Sequence, residues 1–411
     1  MKKLFRGLTA LLSGALAVLF VFYAAAMQLT PSSMKTDSLS TALPDGDLPL
    51  SLSYPSRAAS AQAEPSGHSQ YNAKLMLLGT FPVKDVSVSL EDRKYVIPGG
   101  TPFGIRIYTE GLVVSGTVPV SAGNAEVCPA EQAGIEKGDI ILSVNGKALT
   151  SNEQLLSAVE KSCGEPVLLD IKRNSRLFSA SVTPVFDVAR QKYRTGLYVR
   201  DSCAGIGTMT FTDPETGSFA GLGHGICDSE SERLMPMLHG DIVPAEITSV
   251  RKSCCGEPGS LVGHFSSGKS IGTVIRNSEN GIYGKLLSVP ESSGKLPVAF
   301  RQEVVKGKAS LLTSVDGSDP EYYDIEIEDI SYNDSSTTKN MVIKVTDERL
   351  LTKTGGIVQG MSGSPIIQNG RLAGAVTHVF VNDTVRGYAV FAENMLEISK
   401  NLEQTIHDQA A

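Results

Sequence analysis

The apolar positions of this chain fall into four regimes. From Leu8 to Met27, "LTALLSGALAVLFVFYAAAM" runs without a charge, long enough to cross about 30 Å of hydrocarbon as one helix. Residues 1–29 therefore read as a short cytoplasmic tip and a transmembrane anchor or signal. From Thr30 to about Ala73 no period is sustained and Ser, Pro and Ala dominate, which predicts a flexible tether over 30–73, open to proteolysis. Over 94–186, short alternating runs such as "TPFGIRI" and "GLVVSGTV" surround one amphipathic helix carrying Leu155, Leu156 and Val159. Over 187–411, further short runs separated by Gly, Asn and Ser ("IGTMTFTD", "DIEIEDISY", "NMVIKVTDE") predict a β-barrel or sandwich. A terminal helix closes the chain, with Met395, Leu396, Ile398 and Leu402 on one stripe.

Composition sharpens this picture at three points. A chain of 411 residues is too long for one ordinary core, and its 40 glycines with 6% aromatics suit a turn-rich, mainly β protein. A net charge of −7 without a basic stripe gives no electrostatic reason to bind nucleic acid. Lys2, Lys3 and Arg6 precede the apolar run, which keeps residues 1–7 in the cytoplasm and exports the rest. Ala24–Ala26 also suits a cleavage site, but the run exceeds the usual signal-peptide length, and an uncleaved anchor is the expectation. Cys128, Cys163, Cys203, Cys227, Cys254 and Cys255 form no C-x-x-C pair and no zinc spacing, so neither a metal nor a cofactor is expected. Disulfides and plain buried thiols both remain open for them.

Two motifs carry chemistry. In "CPAEQAGIEKGDIILSVNGKAL", Pro129–Ala133 makes a helical turn that Gly134 ends, Ile140–Val144 is a strand, and Asn145-Gly146 signals a tight hairpin. This run resembles a PDZ domain. The resemblance implies that an extended peptide or its carboxylate adds to a sheet edge beside a glycine-containing loop, placed here at Phe103, Gly104 and Ile105.

The second motif is "GMSGSPIIQNGRLAGAVTH". A serine becomes a useful nucleophile when a base takes its proton and backbone donors await the oxyanion. Gly360 permits a turn that aims its own N–H and that of Ser362 at one point, and Gly363 leaves room for a substrate carbonyl. Pro365 starts a strand and Asn369-Gly370 turns it back. The run resembles the G-D-S-G-G-P loop of trypsin-like serine proteases, which assigns Ser362 as the nucleophile and Ser364 as a wall residue. Met361 stands where many of those enzymes hold Asp, which argues against zymogen activation through a new N-terminus. Among six histidines, His224 in "AGLGHGICD" has small neighbours that let an imidazole face a cleft. His378 lies on the return strand of the nucleophile hairpin and reads as a pocket wall.

Taken together, an N-terminal membrane segment, a PDZ-like unit and "GLYVRDSCAGIGTMTFTDPETGSFAGLGHGICD" with "TKTGGIVQGMSGSPIIQNGRLAGAVTHVFVND" resemble the stage IV B sporulation peptidase family of endospore-forming bacteria. The resemblance implies a trypsin-like double β-barrel and gives Asp347 the third functional role, with Asp228 and Asp241 as fallback acids. It further implies that the enzyme cuts itself in its N-terminal region, in trans, and is released into the space between the two forespore membranes. There it would cleave a regulatory membrane protein of an intramembrane protease complex, triggering sigma-factor precursor processing. Two other readings stand beside it: a non-catalytic PDZ scaffold of the spore envelope, and a general envelope quality-control serine protease.

Overall fold

A charge-free run satisfies its own backbone only as a helix, and the first element of this computed structural model is α1 (Lys2–Leu29), whose stretch Thr9–Gln28 is long and apolar enough to cross a membrane. Residues 2–39, 42–43, 48–54, 69–123, 125–228, 230–266, 268–290, 294–332 and 338–410 are described. The chain after α1 departs from the expected tether. Strands Ser33–Thr36 and Leu50–Ser53 join the long hairpin Ser69–Leu77/Phe81–Leu90 in a four-stranded sheet. Met34, Ala73, Leu75, Leu77, Val86 and Val88 form its core, and Ala26 of α1 closes it. Strands of four residues are too short to sustain a visible period, which is why they escape a reading of the pattern. Parts of the expected tether, 40–41, 44–47 and 55–68, lie outside the described residues.

Two barrels follow, and the chain is mainly β, with 51% of its residues in strands. The second is a closed barrel of Gly307–Thr313, Glu321–Ile330, Met341–Val345, Asp383–Phe391, Arg371–Phe380 and Pro365–Gln368 in that spatial order. Leu311, Ile325, Ile343, Met361 and Val376 fill it. The first closes through six strands as well: Pro102–Thr117, His239–Arg251, Gly272–Ser278, Gly281–Leu286, Ser218–Gly221 and Leu197–Thr212, the last pairing back onto the first. Its core holds Phe103, Ile105, Ile107, Phe219, Ile242 and Ile282. The terminal helix α5 (Ala392–Ala410) buries Met395 and Leu396, with Ile398 and Leu402 packed behind them, as the stripe requires.

The PDZ-like unit is inserted into the first barrel, so the boundary expected at residue 187 does not separate two successive domains. Strands Pro102–Thr117 and Leu197–Thr212 pair from Thr208↔Pro102 to Leu197↔Thr117, with a break between Tyr108 and Val113. Pro102–Tyr108 with Ser202–Thr208 belongs to the barrel, and Val113–Thr117 with Leu197–Arg200 belongs to the inserted unit. The change of direction falls at Gly111, with φ +77°, where a Cβ would stand 2.5 Å from the Ile141 carbonyl oxygen. Beyond it, Leu112, Ala130 of α2 (Pro129–Gln132), Ile141, Val167, Leu169 and Ile171 form a separate core with α3 (Asn152–Lys161). That helix buries Leu155 and Val159 but leaves Leu156 51% exposed. Asn145 and Gly146 both take positive φ (+50° and +73°), as the predicted two-residue hairpin demands.

Candidate active site

The nucleophile loop is held by backbone rather than by side chains. Gly360 and Gly363 adopt φ +99° and +93°, conformations open mainly to glycine. Gly363 does more than clear space for a substrate carbonyl, its expected task. A Cβ there would stand 2.1 Å from the Thr208 carbonyl oxygen and 2.5 Å from the Leu222 amide nitrogen, so its bareness lets the Ser362 loop abut the first barrel. Thr208 N–H donates to the Ser362 carbonyl (3.1 Å), Thr208 Oγ1 donates to the Gly360 carbonyl (2.8 Å) and Thr210 Oγ1 to the Gly363 carbonyl (2.8 Å). Among the described residues the N–H groups of Gly360 and Ser362 meet no acceptor, which leaves both able to receive an oxyanion.

The Ser362 hydroxyl donates to the Thr377 carbonyl at 2.8 Å, and both residues line a cleft of about 980 Å³ between the barrels. Ser364 is fully buried and donates to Thr313 Oγ1 at 2.9 Å, which removes it from reach of any substrate.

His224 lines the same cleft. Its loop follows strand Ser218–Gly221 through Leu222 and Gly223 at positive φ, and a Cβ on Gly223 would lie 2.9 Å from Thr377 Cγ2. The two barrels therefore meet with the histidine loop of one against the strand beside the serine of the other. His224 Nδ1 lies 2.9 Å from the Gly225 carbonyl oxygen. A carbonyl only accepts, which assigns the proton to Nδ1 and leaves Nε2 as a proton acceptor. Burial holds the imidazole below its ordinary value of 6.5, against a smaller opposing pull from the Gly225 carbonyl, so the neutral base is the resting form. His378, expected as a pocket wall, stacks obliquely on His224 with ring centroids 5.1 Å apart. At the open rim of the cleft it is pushed down to about 4, by burial first and then by His224 and Lys339.

The acids sit elsewhere. Asp347 is the N-cap of α4 (Glu348–Thr354), accepting from the Arg349 N–H at 2.9 Å, from Arg349 Nη2 at 2.8 Å and from the Asp324 N–H at 3.2 Å. Arg349 holds its carboxyl down to about 2. It is absent from the residues that line the cleft, whereas His224, Gly360 and Ser362 share it. Asp228 is buried on Ser115 Oγ, the Ser231 N–H and Arg200, and Asp241 is paired with Arg106. Among the described residues no carboxylate bonds to His224. No group of three or more His, Cys, Asp or Glu side chains is placed there to hold a metal, and all six cysteines are free thiols, none of them buried.

The structure gives no open edge at Phe103, Gly104 and Ile105, where a peptide-binding loop is expected. These residues lie mid-barrel, paired with Gly207, Ile206 and Gly205 on one side and with Pro244, Val243 and Ile242 on the other, so no edge is open. Alternating apolar residues beside a glycine look alike in an edge loop and in an interior strand. Two edges of the inserted unit, Arg176–Val182 and Leu197–Arg200, are each paired on one side only among the described residues, and Leu197–Arg200 is the one beside α3. Gly196, at φ +78°, precedes it, and α3 lies alongside, its Asn152 N–H bonded to Asp201 Oδ2 at 3.0 Å. A glycine at positive φ ahead of the alternating "LYVRD" is the sequence signal that was available for it.

A PDZ domain family matches residues 125–173. The zinc metalloprotease RasP of Shouchella clausii is 34% identical over 80 residues, 20% of this chain and 18% of that protein. Serine protease HTRA1 of Xenopus tropicalis is 43% identical over 56 residues, 14% of this chain and 12% of that protein. The chain thus spans less than a fifth of the length of these curated relatives. Among solved structures, the active form of the Rv3671c protease of M. tuberculosis aligns over 47% of this chain and 72% of that one, with 14% identity and TM-score 0.29. A PDZ domain of an SdrC-like protein of Listeria monocytogenes aligns over 23% and 93%, with 18% identity and TM-score 0.19. The SpoIVB peptidase S55 family matches residues 191–396, a span that carries His224, Asp347 and Ser362, and the chain belongs to that family of serine peptidases.

Proposed function

We propose that this chain is a membrane-anchored serine endopeptidase in which Ser362 is the nucleophile and His224 the base. One observation carries the reading: the serine hydroxyl and a neutral imidazole line one cleft, with two unpartnered N–H groups beside the serine. On substrate binding the hydroxyl leaves the Thr377 carbonyl and gives its proton to His224 Nε2, and Ser362 Oγ attacks the peptide carbonyl. The Gly360 and Ser362 N–H groups hold the oxyanion. The imidazolium returns the proton to the leaving amine, and a water activated by the same imidazole then releases the acyl group. Mutation of Ser362→Ala tests this directly: cleavage of a casein-type substrate and of the enzyme's own N-terminal region should both stop. Persistence of either activity overturns it.

Asp347 takes a positioning role in this reading. Its carboxylate caps α4, and the C-cap of α4, Gly355, opens the segment that runs to Gly360 and Ser362. The Gly225 carbonyl holds the imidazole in the tautomer that a triad acid would otherwise select.

The substrates follow from family membership and the apolar helix. We assign self-processing within residues 30–90, cleavage of a regulatory membrane protein in sporulation signalling, and a site of action in the intermembrane space of the forespore. The inserted PDZ-like unit would present the N-terminal region of another copy, or a partner, along Leu197–Arg200 beside α3. Mass spectrometry of the released form checks the first: a new N-terminus within residues 30–90 that Ser362→Ala abolishes supports self-cleavage, and a terminus near Met27 in both proteins contradicts it.

A further inference from the structure

The four-stranded sheet after α1 is not set beyond the end of the apolar helix but alongside its last third. Leu19 and Ala26 pack into the sheet core with Leu75, Leu77 and Val83. Tyr23 Oη donates to the Val83 carbonyl at 3.1 Å, and Lys84 Nζ donates to the carbonyls of Met27 and Thr30, at the C-terminal end of the helix. These contacts give the hairpin a direction. Going from Lys84 to Val83 climbs α1 from residue 30 towards residue 23, and two further residues, at about 3.3 Å each, bring Phe81 level with the helix near Leu19.

This placement creates a shortfall in the span. Within the apolar stretch Thr9–Gln28, the part ahead of the sheet contacts is Thr9–Val18, about 15 Å of helix at 1.5 Å per residue, against about 30 Å of hydrocarbon. A bilayer that covers the apolar faces of Phe20, Val21 and Phe22, exposed by 71%, 66% and 40%, must also meet the hairpin tip beside them.

The tip is made for that contact. Leu75–Val83, "LMLLGTFPV", carries no charge, and Lys74 and Lys84 flank it. At the turn Leu78 is 56% exposed and Phe81 44%, two large apolar side chains left uncovered among the described residues. Leu78 holds φ +54° in a turn where an ordinary residue is strained, so the turn presents a leucine where Gly or Asn would be easier. Apolar residues at a loop tip with the exposed Lys74 at its base match an interface of acyl chains below and anionic headgroups above, while Lys84 ties the hairpin to the end of α1.

We propose that the Leu78–Phe81 hairpin tip is a second membrane contact, inserted into the outer leaflet beside α1 and fixing the catalytic barrels at a set height and orientation on the bilayer. The occupant of this apolar surface is lipid, because the surface is continuous with the exposed apolar face of α1. The sheet is in turn tied to the protease barrels: Arg93 bridges Asp37 and Glu303, and Gln302 Nε2 donates to the Lys35 carbonyl. The proposal rests on the reading that α1 enters a bilayer.

The chain contains no tryptophan, so one substitution gives a single reporter. The full-length Ser362→Ala protein, which cannot process itself, is reconstituted in vesicles of phosphatidylcholine and phosphatidylglycerol with and without brominated acyl chains. Four versions carry Leu78→Trp, Phe81→Trp, Phe20→Trp in α1, or Tyr322→Trp on the second barrel. Expected are blue-shifted emission and loss of intensity to brominated chains for Leu78→Trp, Phe81→Trp and Phe20→Trp, with Tyr322→Trp unaffected. Quenching of Phe20→Trp without either tip reporter overturns the tip contact and leaves the anchor standing. Absence of quenching at Phe20 and at the tip overturns the anchor reading and the tip contact with it.

Discussion

The loop at Ser362 and the turn at Asp347 make an instructive pair. Asp347 stands just after the alternating strand Met341–Val345 and Ser362 just before the strand Pro365–Gln368, and the sequence recommends both. The serine loop spends its backbone on the other barrel, through Thr208 and Thr210, and leaves its hydroxyl and two N–H groups facing a cleft. The aspartate spends its oxygens locally, on Arg349 and Asp324, within its own barrel. A polar residue is available for chemistry when a substrate can reach it and it gives up little to respond. Ser362 Oγ has one bond to release, to the Thr377 carbonyl, whereas the Asp347 carboxylate is held by Arg349 and the Asp324 N–H away from the cleft.

Substitutions rank this difference. Ser362→Ala should lower kcat by about 10⁶-fold with the fold intact, as removing a serine nucleophile does elsewhere. Circular dichroism with peptide cleavage separates loss of chemistry from loss of fold. Gly363→Ala should be nearly as damaging for a different reason. Its Cβ would enter the Thr208 carbonyl, so barrel–barrel docking fails and thermal unfolding shifts down, an effect of about 2–4 kcal/mol for strain at positive φ with a backbone clash.

Asp347 gives the sharpest contrast. Asn is as good an N-cap as Asp, so Asp347→Asn should change kcat/KM by only a few-fold, whereas Asp347→Ala should cost about 1 kcal/mol of stability. A triad acid behaves otherwise: the same Asn substitution would cost about 10⁴-fold and alter the pH profile.

Acid sensitivity should show the smallest effects. Burial lowers the His224 value, so the acidic limb of kcat/KM should fall below pH 6.5, and a limb above it would indicate a carboxylate partner. His378 is lowered to about 4 in the folded protein and is ordinary when unfolded. The unfolded chain therefore binds the extra proton between these values, and the contribution of neutral His378 is present above pH 6.5 and lost as pH falls towards 4. His378→Gln should flatten the stability profile across that window in denaturant titrations.

Legibility in the sequence followed range. Features fixed within a few residues were visible: the Asn145-Gly146 and Asn369-Gly370 hairpins, the glycines that open the Ser362 loop and the apolar α1. The insertion of the PDZ-like unit was not, because the strand Pro102–Tyr108 finds its barrel partner at Ser202–Thr208, nearly a whole domain later. The same distance hid the open edge at Leu197–Arg200, and their four-residue length hid the strands Ser33–Thr36 and Leu50–Ser53 within the expected tether. Of the site, His224 and Ser362 could be singled out from their small-residue settings, and the fold brings both to one cleft, but the hydrogen bonds of Gly225 and Asp347 required the fold.

Active-site labelling tests the centre of this reading most directly. A fluorophosphonate probe, applied to the full chain in detergent and mapped by peptide mass spectrometry, should give one adduct at Ser362, lost in Ser362→Ala and in His224→Ala and retained in Asp347→Asn. An adduct on another serine, or labelling of Ser362 that survives His224→Ala, would contradict the assignment of nucleophile and base.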